Sequence, residues 1–499
     1  MSSQDTVQAE GATTDVHKRL LIDGQLVTTE ATFPSYNPAT GDLVGYAPDA
    51  GFAEAETAIE AARRAFDTTT WSTDVEFRIK CLDQLHQALL DNVEELRELT
   101  IAEVGAPPRL LTHGNQLDAP PIGIVKYYAD LLRTHPLTEE LGVMEIRGQK
   151  HRRWIEREAA GVVSAIVAYN YPTQLALAKL IPSLAAGCTI VLKGAPDTPP
   201  LVTQALGEII ADHTDIPAGV VNILSSTQVA TGEIMTTHPP TSTSSPSPAP
   251  RRSAARSWQP RPTPSSACSS SSAASPHSSC STTPTFRPPH SSLHSASART
   301  PARAAPLTTR LLVPREKHDE IVAAVGAMMS NVPYGDPANP KIYMGPVINE
   351  RQREKIHGMV QRAVEEGATL VTGGEPVDPG WFYKPTLLAN VDPPDSEIAQ
   401  EEVFGPVLAV IPFDDDDHAV RIANNSIYGL SGGVLSADDD RAIAIGRRIR
   451  TGTFSINGGN YFTPEVPFGG YKQSGIGREM GVAGLHEFQQ IKSFAAVVK

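Results

Sequence analysis

Thiols are the strongest nucleophiles among the side chains, and this chain of 499 residues has four, Cys81, Cys188, Cys268 and Cys280. So few give no disulfide framework, and reduced thiols are expected. Cys280 stands near His277, His290 and His294, residue types that bind metals, but no zinc-type spacing recurs and no metal is expected there. The acidic run Asp414 to Asp417 could in principle hold a cation. It directly precedes the helical pattern HAVRIANN, so its expected role is capping, because negative charge is favoured at a helix start.

Four other segments carry polar groups at strand ends or in glycine-rich turns. They are Ala168-Tyr-Asn-Tyr-Pro172, the strand TIVLK ending at Lys193 with Asp197-Thr-Pro199 after it, Glu401-Glu-Val-Phe-Gly-Pro406, and Pro467-Phe-Gly-Gly-Tyr-Lys-Gln-Ser-Gly-Ile-Gly-Arg-Glu479. Asn170 follows the apolar run GVVSAIVAY, and a loop at a strand's carboxyl end can reach a reacting atom. Taken singly, each segment also has a plain reading. Asn-x-Pro is a turn, Lys193 could be a surface lysine closing a strand, Glu401 to Pro406 a charged loop, and Tyr171, Gln174 and Phe468 core or rim packing.

The elements that must position these groups alternate. From Gly161 onward GVVSAIVAY, LALAKLIPSLAAG, TIVLK, PLVTQALGEIIADH and GVVNIL read as strand and helix in turn, which predicts a doubly wound parallel sheet with ligands at the carboxyl ends of its strands. Before this, a strand pair in RLLIDGQLV leads into a mainly helical region, including Ala53 to Phe66 and Phe77 to Ile101, and Gly142 to Glu158 reads as a charged hairpin. After Leu307 come TTRLLVP, helices over Glu316 to Met329 and Asn349 to Glu366, VLAVIPF and TGTFSING, a second α/β unit. The closing IKSFAAVVK alternates like an edge strand and is expected to pair with another domain or subunit. Size and a 40% apolar, 20% charged composition suit a multidomain globular enzyme. The N-terminus lacks the apolar core of a signal peptide and the longest apolar run is too short to span a bilayer, so a cytoplasmic protein without membrane partners is expected.

Together, in order and spacing, the four segments resemble the NAD(P)-dependent aldehyde dehydrogenases, and the likeness covers nearly the whole chain outside 241–306. The resemblance implies a fold of a doubly wound dinucleotide-binding domain, an α/β catalytic domain and a small oligomerisation element. It also implies oxidation of an aldehyde to a carboxylic acid: a Cys thiolate attacks, the hemithioacetal passes hydride to nicotinamide, and a Glu-activated water hydrolyses the thioester. Asn170 would be the side-chain oxyanion donor. Lys193 would bond the adenine-side ribose, Glu402 the nicotinamide-side ribose, and Phe404 would flank the nicotinamide. Tyr171, Gln174 and Phe468 would line the aldehyde channel. The cofactor implied is NAD, with NADP possible, because Pro196 stands where strict NAD enzymes often carry a Glu. Tyr169 and Gly194 replace the family's usual Trp and Pro. A homodimer or homotetramer follows from the resemblance.

One stretch departs from the pattern. Residues 241–305 contain no Gly, Val, Ile, Met, Asp, Glu, Lys, Asn or Tyr, and 241–300 hold 20 Ser and 10 Pro. That composition offers too little apolar surface to offset ordering entropy. It carries seven Arg and no acid, so the formal charge of −14 leaves the rest of the chain near −21, which argues against nucleic acid as a partner. In the family this region holds Phe-Thr-Gly-Ser, the base motif Glu-Leu-Gly-Gly and the nucleophile motif Gln-Gly-Cys. A one-base frame shift of G/C-rich codons for these motifs yields Ser-Pro-Ala-Pro, Ser-Ser-Ala-Ala-Ser and Arg-Ala-Ala. Those strings occur in that order at Ser247 to Pro250, Ser271 to Ser275 and Arg303 to Ala305. Ser271 then stands at the base position and Ala305 at the nucleophile position, and the chain as written is expected to be inactive. The competing reading is a non-catalytic subunit or interaction protein with a basic Ser/Pro-rich loop.

The expected organisation is 1–141 as the helical part of the cofactor domain, 142–158 an oligomerisation hairpin, 159–239 the dinucleotide-binding core, 240–306 the anomalous segment, 307–479 the catalytic domain and 480–499 an oligomerisation strand.

Overall fold

The computed structural model describes residues 16–108, 117, 121–194, 197, 199–237, 278–279, 309–391 and 396–498. A five-stranded sheet in the order Gln25–Val27, Leu20–Ile22, Val221–Leu224, Thr189–Gly194, Val162–Val167 forms the first core. Its last three strands run parallel, and the N-terminal hairpin adds two antiparallel strands. Strand residues alternate between two apolar layers. Ile190, Leu192 and Ile223 pack with the helices Pro172–Ala186 and Pro200–His213, while Val191 and Leu224 pack with Phe52–Thr68 and Val229–Thr237. A sheet covered on both faces explains why these strands are continuous apolar runs.

Pro172 occupies the first turn of its helix, where a missing N–H costs nothing. Fourteen of the helix's fifteen residues are buried. It ends at Gly187, whose φ of +90° and close approach to the Ser72 backbone both demand glycine.

The second unit is built on parallel strands Arg310–Pro314, Val407–Phe413 and Thr386–Ala389, with Thr369–Thr372 antiparallel at one edge and the backbone of Ser278–Ser279 at the other. Helix Glu350–Glu365 packs on one face and His318–Ser330 on the other. The two units are tied together. The Trp381 N–H donates to Pro38 O at 2.8 Å, and Arg351 pairs with Asp197.

The hairpin expected over Gly142 to Glu158 is Thr138–Ile146 and Gln149–Ala159. The closing strand Gln489–Val497 pairs antiparallel with Gln149–Ala159 of the same chain, and Trp154 stacks on Phe494 at 5.0 Å. The N-terminal region is less helical than its composition suggests, since Thr32–Tyr36 and Leu43–Pro48 form an antiparallel pair. Asp415 caps helix Asp416–Asn424 by accepting from the His418 N–H at 2.7 Å. Its acidic neighbours are taken up by arginines: Asp414 by Arg315, Asp416 by Arg441, Asp417 by Arg448. No group of three or more metal-ligating side chains occurs among the described residues, and no helix among them is long and apolar enough to cross a membrane.

Candidate active site

The first two segments lie at the carboxyl ends of the first sheet's parallel strands, and the third reaches the first through a ring contact. Asn170 follows strand Val162–Val167 and is 1% exposed, in the turn that enters helix Pro172–Ala186. Tyr171 sits at the N-cap position, and Gln174 lies in the first turn, both buried. Gln174 Oε1 and Thr173 Oγ1 find no hydrogen-bond partner among the described residues. Buried acceptors in this state are uncommon, and they mark a place where polar contents are accommodated.

Lys193 lies one strand over, level with Ile166 on one side and Leu224 on the other. Its Nζ donates to Gly194 O at 2.8 Å and Ser226 O at 3.2 Å. Burial pulls the amine down to about 8, opposed by the Asp49 carboxylate. Beside it is a small cavity of about 10 Å3, room for about one water, lined in part by Phe33, Gly194, Pro199, Pro200, Thr203 and Ser226.

The third segment reaches the first through rings: Tyr169 meets Phe404 edge to face, with centroids 5.4 Å apart. Phe404 has a φ of +55°, a left-handed conformation that a bulky residue adopts only when its surroundings impose it. Helix Glu350–Glu365 imposes it. Gln352 Nε2 donates to Val403 O at 2.9 Å and Phe404 O at 3.2 Å, and Lys355 Nζ donates to Glu402 O at 3.1 Å. Burial pushes the Glu402 carboxyl up to about 8, against the opposing pull of Lys355.

The fourth segment packs on the first core. Phe468 and Glu479 exchange backbone hydrogen bonds at 2.8 and 2.7 Å, and Phe468 meets Phe462 at 5.2 Å. The Glu479 carboxylate accepts from Lys179, two turns along the helix from Asn170, in an ion pair whose lysine is fully buried. Lys179, Glu479 and Gln352 are contributors that spacing alone does not single out. Their partners lie 300 and about 50 residues away in sequence, and only the fold brings them together.

Of the thiols, Cys81 and Cys188 are buried. Burial raises both, Cys81 to about 11, and Cys188 Sγ donates to Phe488 O at 3.2 Å, so neither is an activated nucleophile. Cys268, Cys280, His277, His290, His294, Pro196, Ser271 and Ala305 lie outside the described residues.

The model of the Aldehyde dehydrogenase family matches residues 26–244 and 305–494, and lapses between them. The chain is 32% identical over 486 residues to a 3-succinoylsemialdehyde-pyridine dehydrogenase from a Pseudomonas species, covering 96% of this chain and 98% of that one. It is 32% identical over 490 residues to the geranial dehydrogenase of Castellaniella defragrans, with the same coverage of 96% and 98%. Among solved structures, an aldehyde dehydrogenase from Mycobacterium tuberculosis complexed with NAD+ matches with a TM-score of 0.83 and 33% identity, over 96% of this chain and 98% of the other.

Proposed function

The chain belongs to the aldehyde dehydrogenase family, and from that premise we propose that its fold binds a nicotinamide adenine dinucleotide and receives an aldehyde at Asn170, while the polypeptide as written does not complete the oxidation. What supports the reading is that Asn170 and Lys193 follow or end neighbouring parallel strands, with Phe404 in ring contact with Tyr169 beside Asn170. Related structures contain NAD+.

The residues present fit such a cofactor. Lys193 and Glu402 are shifted in opposite directions, toward a neutral amine and a neutral carboxyl, which suits hydrogen bonding to uncharged sugar hydroxyls. Lys193 would hold the adenine-side ribose and Glu402 the nicotinamide-side ribose, with Phe404 against the nicotinamide. The dinucleotide supplies an acceptor for the two electrons that leave the aldehyde carbon. Pro196 offers no carboxylate to repel a 2′-phosphate, so NADP is accommodated as well. The Asn170 amide donates to the carbonyl oxygen as negative charge builds on it, a contact worth more in a buried site than in water. Tyr171, Gln174 and Phe468 line the approach.

What the chain lacks is the partner for that oxygen's carbon. Ala305 offers no nucleophile at the position where the shifted frame hides Gln-Gly-Cys, and Ser271 cannot take a proton near neutral pH. The gap in the family match over 245–304 supports a frame shift over an insertion, because the flanking motifs keep family-like separation. In this reading 1–141 and 159–239 form the cofactor half, 307–479 the catalytic half, and the strands within 142–158 and 480–499 a surface for dimers or tetramers in the cytoplasm.

A titration with NAD+ combined with an assay at 340 nm tests this. Saturable binding without aldehyde-dependent NADH formation is expected. Turnover of about 1 per second or faster would overturn inactivity, and absence of saturable binding would favour the interaction-protein reading.

A further inference from the structure

Glu103 is a buried carboxylate that the chemistry above does not use. It is the penultimate residue of helix Val93–Val104 and 2% exposed. Its Oε1 accepts from Leu201 N–H at 3.0 Å and from Ser35 Oγ at 2.5 Å, and its Oε2 accepts from Val202 N–H at 2.7 Å. Those amides belong to the first turn of helix Pro200–His213, which has Pro199 at its N-cap and no side-chain cap of its own. A helix start leaves four amide positions without intrahelical partners. Here two are prolines with no N–H, and the other two donate to Glu103, so a carboxylate about a hundred residues away completes the cap and faces the positive end of the helix dipole.

The two elements that Glu103 joins are opposite walls of one cavity. Phe33, from the strand of Ser35, lines it on one side; Pro199, Pro200 and Thr203 line it on the other, with Gly194 and Ser226 beside Lys193. Burial pushes Glu103 up to about 7, against the combined effect of its three hydrogen bonds and of Lys18, so an ionisable group is retained there at a cost in solvation. The geometry points to Glu103 as a positioning residue that clamps strand Thr32–Tyr36 to the start of helix Pro200–His213 and thereby sets the shape of the adenosine side of the cofactor pocket. This rests on the reading that Lys193, whose Nζ donates to Ser226 O in the lining of that small cavity, holds that half of the dinucleotide.

Glu103→Gln tests it with three probes, NAD+, 5′-AMP and nicotinamide mononucleotide, titrated onto the folded full-length protein at a temperature well below unfolding. Gln keeps the size but turns an amine toward one of the two N–H donors. Expected is a loss of about tenfold in affinity for NAD+ and 5′-AMP, the scale of one charge-assisted cap, with nicotinamide mononucleotide unchanged. Leu206→Ala, in the core of the same helix, serves as a destabilised control: its melting temperature should fall while 5′-AMP affinity holds. Wild-type affinity for 5′-AMP retained in Glu103→Gln would overturn the positioning role alone. Absence of saturable NAD+ and 5′-AMP binding in the wild type would overturn the cofactor reading and this inference with it. Should Glu103→Gln prove too unstable to titrate, hydrogen exchange of the wild type decides: 5′-AMP must protect both 32–36 and 200–204, and protection of neither overturns the clamp.

Discussion

At the scale of single residues, the site pairs groups whose ordinary charges are suppressed. Glu402 has a folded pKa of about 8 against an ordinary 4.5, so between those values the folded state holds a proton that the unfolded state releases. Its contribution to stability is therefore complete below pH 4.5 and is lost as pH rises through 8. Glu402→Gln, neutral throughout, should match the wild type near pH 4.5 and exceed it at pH 8 by on the order of 1 to 3 kcal/mol; urea unfolding at the two pH values measures this, and parallel pH slopes would refute it. Lys193 acts on binding. Lys193→Met removes the donor shared by Gly194 O and Ser226 O, and NAD+ affinity should fall at least about tenfold in a fluorescence titration. Asn170 and Lys193 are visible in sequence because each ends an apolar run, a pattern local to ten residues. Lys179 with Glu479, and Gln352 with Phe404, are invisible there because nothing local to Lys179 or Gln352 encodes a partner 300 or about 50 residues away.

At the scale of elements, helix Asp416–Asn424 shows what a charge run can and cannot reveal. Its N-terminal capping is readable from four aspartates ahead of an apolar pattern, and Asp415→Ala should cost about 1 kcal/mol by thermal unfolding. Its C-terminal capping is not readable. The guanidinium of Arg310, 1% exposed on a strand a hundred residues earlier, donates to Ala423 O at 3.2 Å and Asn425 O at 3.4 Å, while Lys472 donates to Asn424 O and Ser426 O, each at 2.9 Å. Arg310→Leu strands the buried Ala423 carbonyl, while the exposed Asn425 O keeps Gln400 Nε2 as a donor, and should cost about 2 kcal/mol, whereas Lys472→Ala, at an exposed side chain, should cost less than about 1 kcal/mol. Equal losses would mean that burial does not decide the difference. The parallel strands are legible as uninterrupted Val/Ile/Leu runs because both faces are covered. Strand Thr32–Tyr36 escapes the same reading, being short, half exposed and interrupted by Pro34. The partner of Gln489–Val497 is also beyond reach of pattern, since its register joins residues more than 300 positions apart.

At the scale of the whole molecule, two apolar cores and a projecting three-stranded sheet persist on either side of the anomalous segment. The outer strand of that sheet, Thr138–Ile146, exposes Leu141, Val143, Met144 and Ile146 by 44 to 58%, an open edge that invites pairing with another copy. Met144→Lys with Ile146→Lys should therefore shift sedimentation toward monomer without changing NAD+ affinity. The larger consequence concerns the reading frame. Strand Arg310–Pro314 begins five residues after Ala305 and pairs with Val407–Phe413, the central strand of the second sheet, so the chain resumes family-like packing almost at once after the position that the frame-shift reading assigns to the nucleophile. If the coding sequence is corrected by one base before codon 247 and compensated before codon 307, the flanks need no change, and the product should gain Glu-Leu-Gly-Gly and Gln-Gly-Cys opposite Asn170. That product should unfold at a higher temperature, because the apolar residues the shifted frame removed return to the core. It should also form NADH from aldehyde, with activity lost again when the restored Cys is replaced by Ala. A corrected product that binds NAD+ yet forms no NADH would place the defect outside 240–306 and refute the frame-shift account.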